Sequence, residues 1–191
     1  MKLTIAIPTI RPRVSKLKDL LGSLYSQIGE SNLGDSVEVL VFADDRQRSI
    51  GTKRNWLLDR AAGEFIAYVD DDDRVAEKYV ASIVHVLTST PGLDCIGLSG
   101  VFHDINRRQR KKFIHSIEYD KYFEKNNVLY RCPNHINPIR TSLARQCRFP
   151  EVNFGEDTSW SHALRDAKLL RKEFFIADRD LYFYDFIHNK K

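Results

Sequence analysis

At 191 residues, 42% hydrophobic and 29% charged, the chain suits one globular domain with a single sizeable core and excludes a disordered or fibrous segment. Its net charge of +4 is too small to mark a nucleic-acid binder by itself, though it suits a protein that handles phosphates. Three widely spaced cysteines (Cys95, Cys132, Cys147) without a CxxC pair argue against a zinc site or a disulfide framework, and no apolar run nears the roughly 20 residues of a membrane span, so a soluble, cytoplasmic protein is expected.

The first hundred residues alternate strand-like and helix-like segments. Leu3 to Pro8 is an apolar strand expected to stop at the proline, and Val14 to Gln27 places Leu17, Leu20, Leu21 and Leu24 on one helical stripe. Val37 to Phe42 is a second strand, running into Asp44-Asp45. Ser49 to Ala62 reads as a helix with Gly63 as its stop. Glu64 to Val69 is a third strand that leads into Asp70-Asp71-Asp72-Asp73. Val75 to Thr88 is a third helix and Asp94 to Leu98 a fourth strand.

Strands separated by helices predict right-handed crossovers and an α/β domain: a mainly parallel central sheet with helices on both faces. Ligands of such sheets sit beyond the carboxyl ends of the strands. Both acidic clusters fall on that edge. After about residue 100 the pattern loosens into aromatic and basic residues, including the run Arg107 to Lys112. Residues 156 to 170 read as a helix and Asp180 to His188 as a last strand.

Four consecutive carboxylates repel one another unless cations or solvent screen them. A solvated turn is the plain reading of such a run. Its place directly after a buried strand favours a hard divalent ion, Mn²⁺ or Mg²⁺, which accepts oxygen ligands and shares phosphate oxygens. Asp72 is the expected direct metal ligand, and Asp70, two residues back, can face the same ligand and is expected to contact the sugar or ribose. Asp71 is a lesser candidate, and Asp73 is placed to cap the helix starting near Val75.

The ordered set IAIPTIRPR, VLVFADD, GTKRNWLLDRAAGEFIAYVDDDD and NFGEDTSW, from residue 3 to 160, resembles the family 2 glycosyltransferases of the Rossmann-like GT-A fold. The resemblance implies a single domain, with residues 1–100 binding a nucleotide-sugar and 101–191 binding the acceptor. It implies that Pro8 and Thr9 meet the base and ribose, that Asp44 or Asp45 bonds the base, and that Lys53, Arg54 and Asn55 approach the diphosphate. The alternative for Lys53 and Arg54 is an exposed basic helix face. Gly51 either lets backbone approach the nucleotide or simply opens the helix. Asp70 and Asp72 match the family's metal-binding DxD element. Glu156-Asp157 matches its later acidic pair, with Asp157 as the base that deprotonates an acceptor hydroxyl; the alternative is a helix N-terminus. His188 loosely matches a C-terminal histidine that completes the metal site in some relatives. Asn134 to Pro138, with His135, is a candidate acceptor-side loop, and Trp160 is expected to pack in the core.

The implied activity is transfer of a sugar from a nucleoside diphosphate, with inversion, to an acceptor that could be a glycan, a small molecule or nucleic acid. Two other readings stand beside it: a nucleotidyltransferase, for which IPTIRPR lacks the usual glycine-rich phosphate loop, and a nucleic-acid-binding module built on Arg107 to Lys112.

Overall fold

A computed structural model describes residues 1–186; His188 lies outside the described residues. The sheet is nucleated by β1 (Leu3–Ile10), whose side chains are buried on both faces as far as Thr9. It runs parallel to β2 (Val37–Asp44) on one side and β3 (Phe65–Tyr68) on the other, Leu3 standing opposite both Val37 and Phe65. Two helices make the crossovers, α1 (Val14–Glu30) and α2 (Ile50–Arg60). The strand does not stop at Pro8. Pairing with β3 ends at Ala6 opposite Tyr68, so the proline's missing N–H costs no bond on that side.

One face of β1 carries Leu3, Ile5 and Ile7 into a core with Leu20, Leu24 and Ile28 of α1 and with Tyr79, Val80, Ile83 and Val84 of α3 (Tyr79–Ser89). On the other face Ala6, with Ile66 and Tyr68 of β3, packs against Leu57 and Leu58 of α2, Ala144 of α4 (Thr141–Ala144), and Trp160 and Leu164 of α5 (Glu156–Asp166). Helices therefore cover both faces. Trp160 is a core residue, stacked on Phe149 with centroids 4.4 Å apart.

Beyond β3 the sheet becomes mixed. The short β9 (Ile139–Arg140) inserts antiparallel between β3 and β5 (Cys95–Asp104). β6 (Gln109–His115) returns antiparallel to β5, and β8 (Val128–Arg131) lies parallel to β6 with β7 (Phe123–Lys125) on the edge. β10 (Glu173–Phe186) runs parallel to β5 and starts earlier than its apolar tail suggests.

Two expectations need correction. Helix α3 begins at Tyr79, because Arg74 and Val75 form β4 and pair antiparallel with Phe183 and Tyr182 of β10. Asp73 consequently caps no helix: it is buried and accepts hydrogen bonds from the Tyr182 hydroxyl (2.7 Å) and the Asp185 N–H (3.3 Å). Helix α5 also ends at Asp166, four residues short of the periodic pattern, where Lys168 takes φ 53°.

Candidate active site

A cavity of about 780 Å³ opens at the carboxyl edge of β1 and β3 and is lined from both halves of the chain, by Pro8, Arg13, Arg54, Asp70 to Asp73, His135 and Glu156-Asp157 among others. The four aspartates that follow β3 do not act as a unit. Asp70 accepts two bonds from Arg54 Nη2 (2.9 and 3.3 Å). Asp71 is inward and saturated, its two oxygens taken by the Thr9 hydroxyl (2.5 Å) and Arg13 Nη1 (2.8 Å). Asp72 keeps 29% of its side chain exposed, with Arg13 Nη1 at 3.1 Å. Burial and the neighbouring Asp71 and Asp70 push its carboxyl up, against the pull of Arg13.

Arg54 lies at the centre of this edge. It is buried, and neither it nor Lys53 forms an exposed basic face. Its Nε is 3.3 Å from Glu156 Oε1, its guanidinium carbon sits 5.3 Å from the Tyr68 ring centre, and its Nη1 is buried with no hydrogen-bond partner. Burial works against its charge, but Asp70, Glu156 and Asp157 outweigh that and hold the guanidinium above its ordinary range. Asp70 is in turn held well below the usual carboxylate range: desolvation is overcome by Arg54 and His135.

His135 joins the two acidic groups. Its Nε2 lies 3.5 Å from Asp70 Oδ2 and its Nδ1 3.6 Å from Asp157 Oδ2, and neither nitrogen makes a hydrogen bond despite burial. Hydrogen bonds tie down the loop holding it. Asn137 side-chain oxygen accepts from Asn134 N–H, its amide donates to Ile96 O, and His135 O accepts from Tyr68 N–H. Asp157 also faces Asn134 Nδ2 (3.4 Å) and Arg131 Nη1 (3.5 Å). Burial raises its pKa, but His135, Arg131 and Arg54 together bring it below the ordinary carboxylate value, so it is ionised at neutral pH. Glu156, by contrast, is buried behind Arg54.

The remaining predicted residues serve the frame. Lys53 donates to Thr9 O (2.8 Å) and pairs with buried Asp44, which also accepts from the N–H groups of Arg46 and Arg48 (3.0 Å each). Asp44 is thereby held below its ordinary value against desolvation, and both residues organise the turn after β2 without lining the cavity. Asp45 is outward and paired with Arg11 (2.9 Å). Asn55 clamps the backbone of Phe149 through both amide atoms (2.9 and 3.0 Å). Gly51 allows a close approach, but of the chain's own backbone: a Cβ there would stand 1.8 Å from Pro150 O.

Residues missed from the sequence include Arg13, Arg131 and Tyr182, whose hydroxyl accepts from Asp70 N–H (3.2 Å). Arg13 stands in the turn IPTIRPR beside the first strand, and its charge there was the available signal; Arg131 and Tyr182 carry none. The basic run is divided between the turn before β6 and the alternating faces of β6 itself. Arg107 and Lys111 line the cavity, Lys111 pairing with Glu124 (2.7 Å), while Lys112 pairs with Asp180 (3.2 Å).

A parallel β2-β1-β3 unit whose carboxyl edge gathers acids around one buried arginine, completed by a mixed second half, is the GT-A glycosyltransferase architecture. The model of "Glycosyl transferase family 2" matches residues 24–175, and the chain belongs to that family. No curated protein matches the sequence. Among solved structures, S. aureus TarS 1-349 in complex with UDP is 17% identical with a TM-score of 0.66, covering 97% of this chain and 61% of that one. The same fragment with UDP-GlcNAc gives a TM-score of 0.65 at 17% identity over 100% of this chain and 60% of that one. The catalytic domain of Drosophila beta1,4galactosyltransferase 7 in complex with xylobiose gives 0.57 at 14% identity, over 95% and 70% of the two chains. The chain thus spans about three-fifths of the TarS fragment, and these likenesses speak for the fold. No helix among the described residues is long and apolar enough to cross a membrane.

Proposed function

We propose that this protein transfers a sugar from a nucleoside diphosphate to an acceptor hydroxyl with inversion at the anomeric carbon, aided by Mn²⁺ or Mg²⁺. The observation that carries the reading is the line Arg54–Asp70–His135–Asp157 along one wall of the cavity, a donor-side carboxylate and an acceptor-side carboxylate separated by one imidazole. Family membership supports the donor class, and the TarS complexes with UDP and UDP-GlcNAc support a nucleotide-sugar.

The donor set fits a divalent ion that the ligand's own phosphates help to hold. Among the described residues no three His, Cys, Asp or Glu side chains group to bind a metal alone. Asp70 and Asp72 nevertheless line the cavity, and one or two carboxylates plus phosphate oxygens is the usual Mg²⁺ arrangement. A bound ion would neutralise charge on the leaving diphosphate. Arg54, fixed by Asp70 and Glu156, places a permanent positive charge beside that position, with Nη1 free to donate to an oxygen of the donor. Asp157 takes the acceptor's proton. Its lowered pKa keeps it deprotonated, and the nearby Arg131 and His135 orient it. With Asp157 assigned to the acceptor and Asp70 and Asp72 to the leaving diphosphate, the reading is single displacement. The cytoplasmic setting is supported by the three free cysteines.

The test is Asp157→Asn, assayed for release of nucleoside diphosphate and for nucleotide binding. Transfer should fall at least a hundredfold while binding stays within a factor of about three. Near-normal transfer by Asp157→Asn would remove the base assignment.

A further inference from the structure

The arginine that covers the acidic run has two possible partners at the site. After β1, a single 3₁₀ turn (Arg11–Arg13) opened by Pro12 leads into α1 and places Arg13 over the end of β3. Its Nη1 serves both Asp71 (2.8 Å) and Asp72 (3.1 Å). The two contacts differ in kind. Asp71 is 2% exposed and held also by Thr9, so it is a permanent anchor. Asp72 faces the cavity, and its ion pair among the described residues is with Arg13. The Arg13 side chain is 41% exposed, with room to turn, and Lys16, one helical turn further along α1, lines the same cavity.

A guanidinium 3.1 Å from Asp72 occupies the approach that a divalent ion needs, and two cations on one carboxylate repel each other at that range. In the free protein Arg13 screens the aspartates. Once an ion takes Asp72, that contact is lost, and a planar fork anchored on Asp71 is well suited to phosphate oxygens. Resting on the function proposed above, we propose that Arg13 is a counter-ion of Asp72 which a divalent cation displaces, and that the displaced guanidinium, together with Lys16, then binds the donor's diphosphate. Arg13 thus opposes metal binding in the free protein and favours nucleotide binding in the metal-loaded one. Metal and nucleotide are thereby coupled, and by linkage the coupling is the same measured from either ligand.

The experiment titrates Mn²⁺ into the wild type, Arg13→Gln and Arg13→Lys, following free Mn²⁺ by electron paramagnetic resonance. UDP and GDP are then titrated calorimetrically without metal and at saturating Mn²⁺. Arg13→Gln should bind Mn²⁺ alone about tenfold more tightly and the nucleotide at saturating Mn²⁺ about tenfold more weakly, with nucleotide affinity of the metal-free protein unchanged, so that the coupling shrinks about tenfold from either leg of the cycle. Arg13→Lys keeps the charge without the fork, so it should retain weak Mn²⁺ binding yet lose most of the nucleotide affinity. Unchanged Mn²⁺ affinity in Arg13→Gln, or unchanged nucleotide affinity at saturating Mn²⁺, overturns the displacement while leaving the donor reading intact. A wild type that binds no Mn²⁺ even with nucleotide present overturns the metal reading and this inference together.

Discussion

Gly51 offers a sharp test of how the frame governs the chemistry. It sits in the first turn of α2, where alanine would ordinarily be the better helix former by about 1 kcal/mol. Here sterics should win. An added Cβ would lie 1.8 Å from Pro150 O and 2.9 Å from its carbonyl carbon, both backbone atoms that no rotamer change can move. Ordinary contact begins near 3.4 Å, so the 150–152 segment must retreat by about 1.5 Å. That segment is tied to α2 by Gly51 N–H to Val152 O (3.2 Å), by Ile50 N–H to Asn153 Oδ1 (3.1 Å) and by the Asn55 clamp on Phe149. It leads through Phe154 and Gly155, which is at φ 77°, into the start of α5 with Glu156 and Asp157. Overpacking of this kind costs about 1–3 kcal/mol, a melting point lower by roughly 3–10 °C in a chain of this size. A shift of about 1 Å at Asp157, the proposed base, should lower transfer about a hundredfold. Gly22→Ala is the paired control: it lies on the exposed face of α1 with nothing within 4 Å of the new methyl, and should gain about 1 kcal/mol. Thermal melts and transfer rates of both variants give the answer. A Gly51→Ala protein that melts with the wild type and transfers at its rate would refute the chain of contacts from α2 to Asp157.

Lys53→Met should leave Asp44 as a buried, uncompensated carboxylate and cost about 3–5 kcal/mol, and Lys53→Met with Asp44→Asn should recover part of it; denaturant melts decide, and an unperturbed single variant would show the pair to be idle. Glu173 gives a pH signature. Burial holds its pKa above the ordinary value despite bonds from Ser116 and Ile117, so its contribution to stability is complete below the unfolded-state value and is lost as pH rises through the folded one. Glu173→Gln should therefore flatten the fall in melting temperature as pH rises above the ordinary glutamate value, and an unchanged slope would argue that Glu173 is not its source.

The N-terminal half was legible because its signals are local. Apolar runs ending in acids, separated by amphipathic stretches, mark β1 to β3 and the edge at which ligands bind, and the quoted motifs carry the family. Period and strand-end position need only the chain's own neighbours. The other half was decided by tertiary pairing. Nothing local says that Arg74 and Val75 leave the helix for β10, that β9 slips between β3 and β5, or that β10 starts at Glu173. The division of labour among the charges was equally hidden. Sequence set four aspartates, two basic residues and an acidic pair on one edge. Only folding decided that Asp71, Asp73, Asp44 and Lys53 turn inward, that Arg54 links Asp70 to Glu156, and that His135, 65 residues from Asp70, comes to stand between it and Asp157. Which carboxylate serves the frame and which faces the cavity depends on the partner each meets, and those partners come from distant parts of the chain.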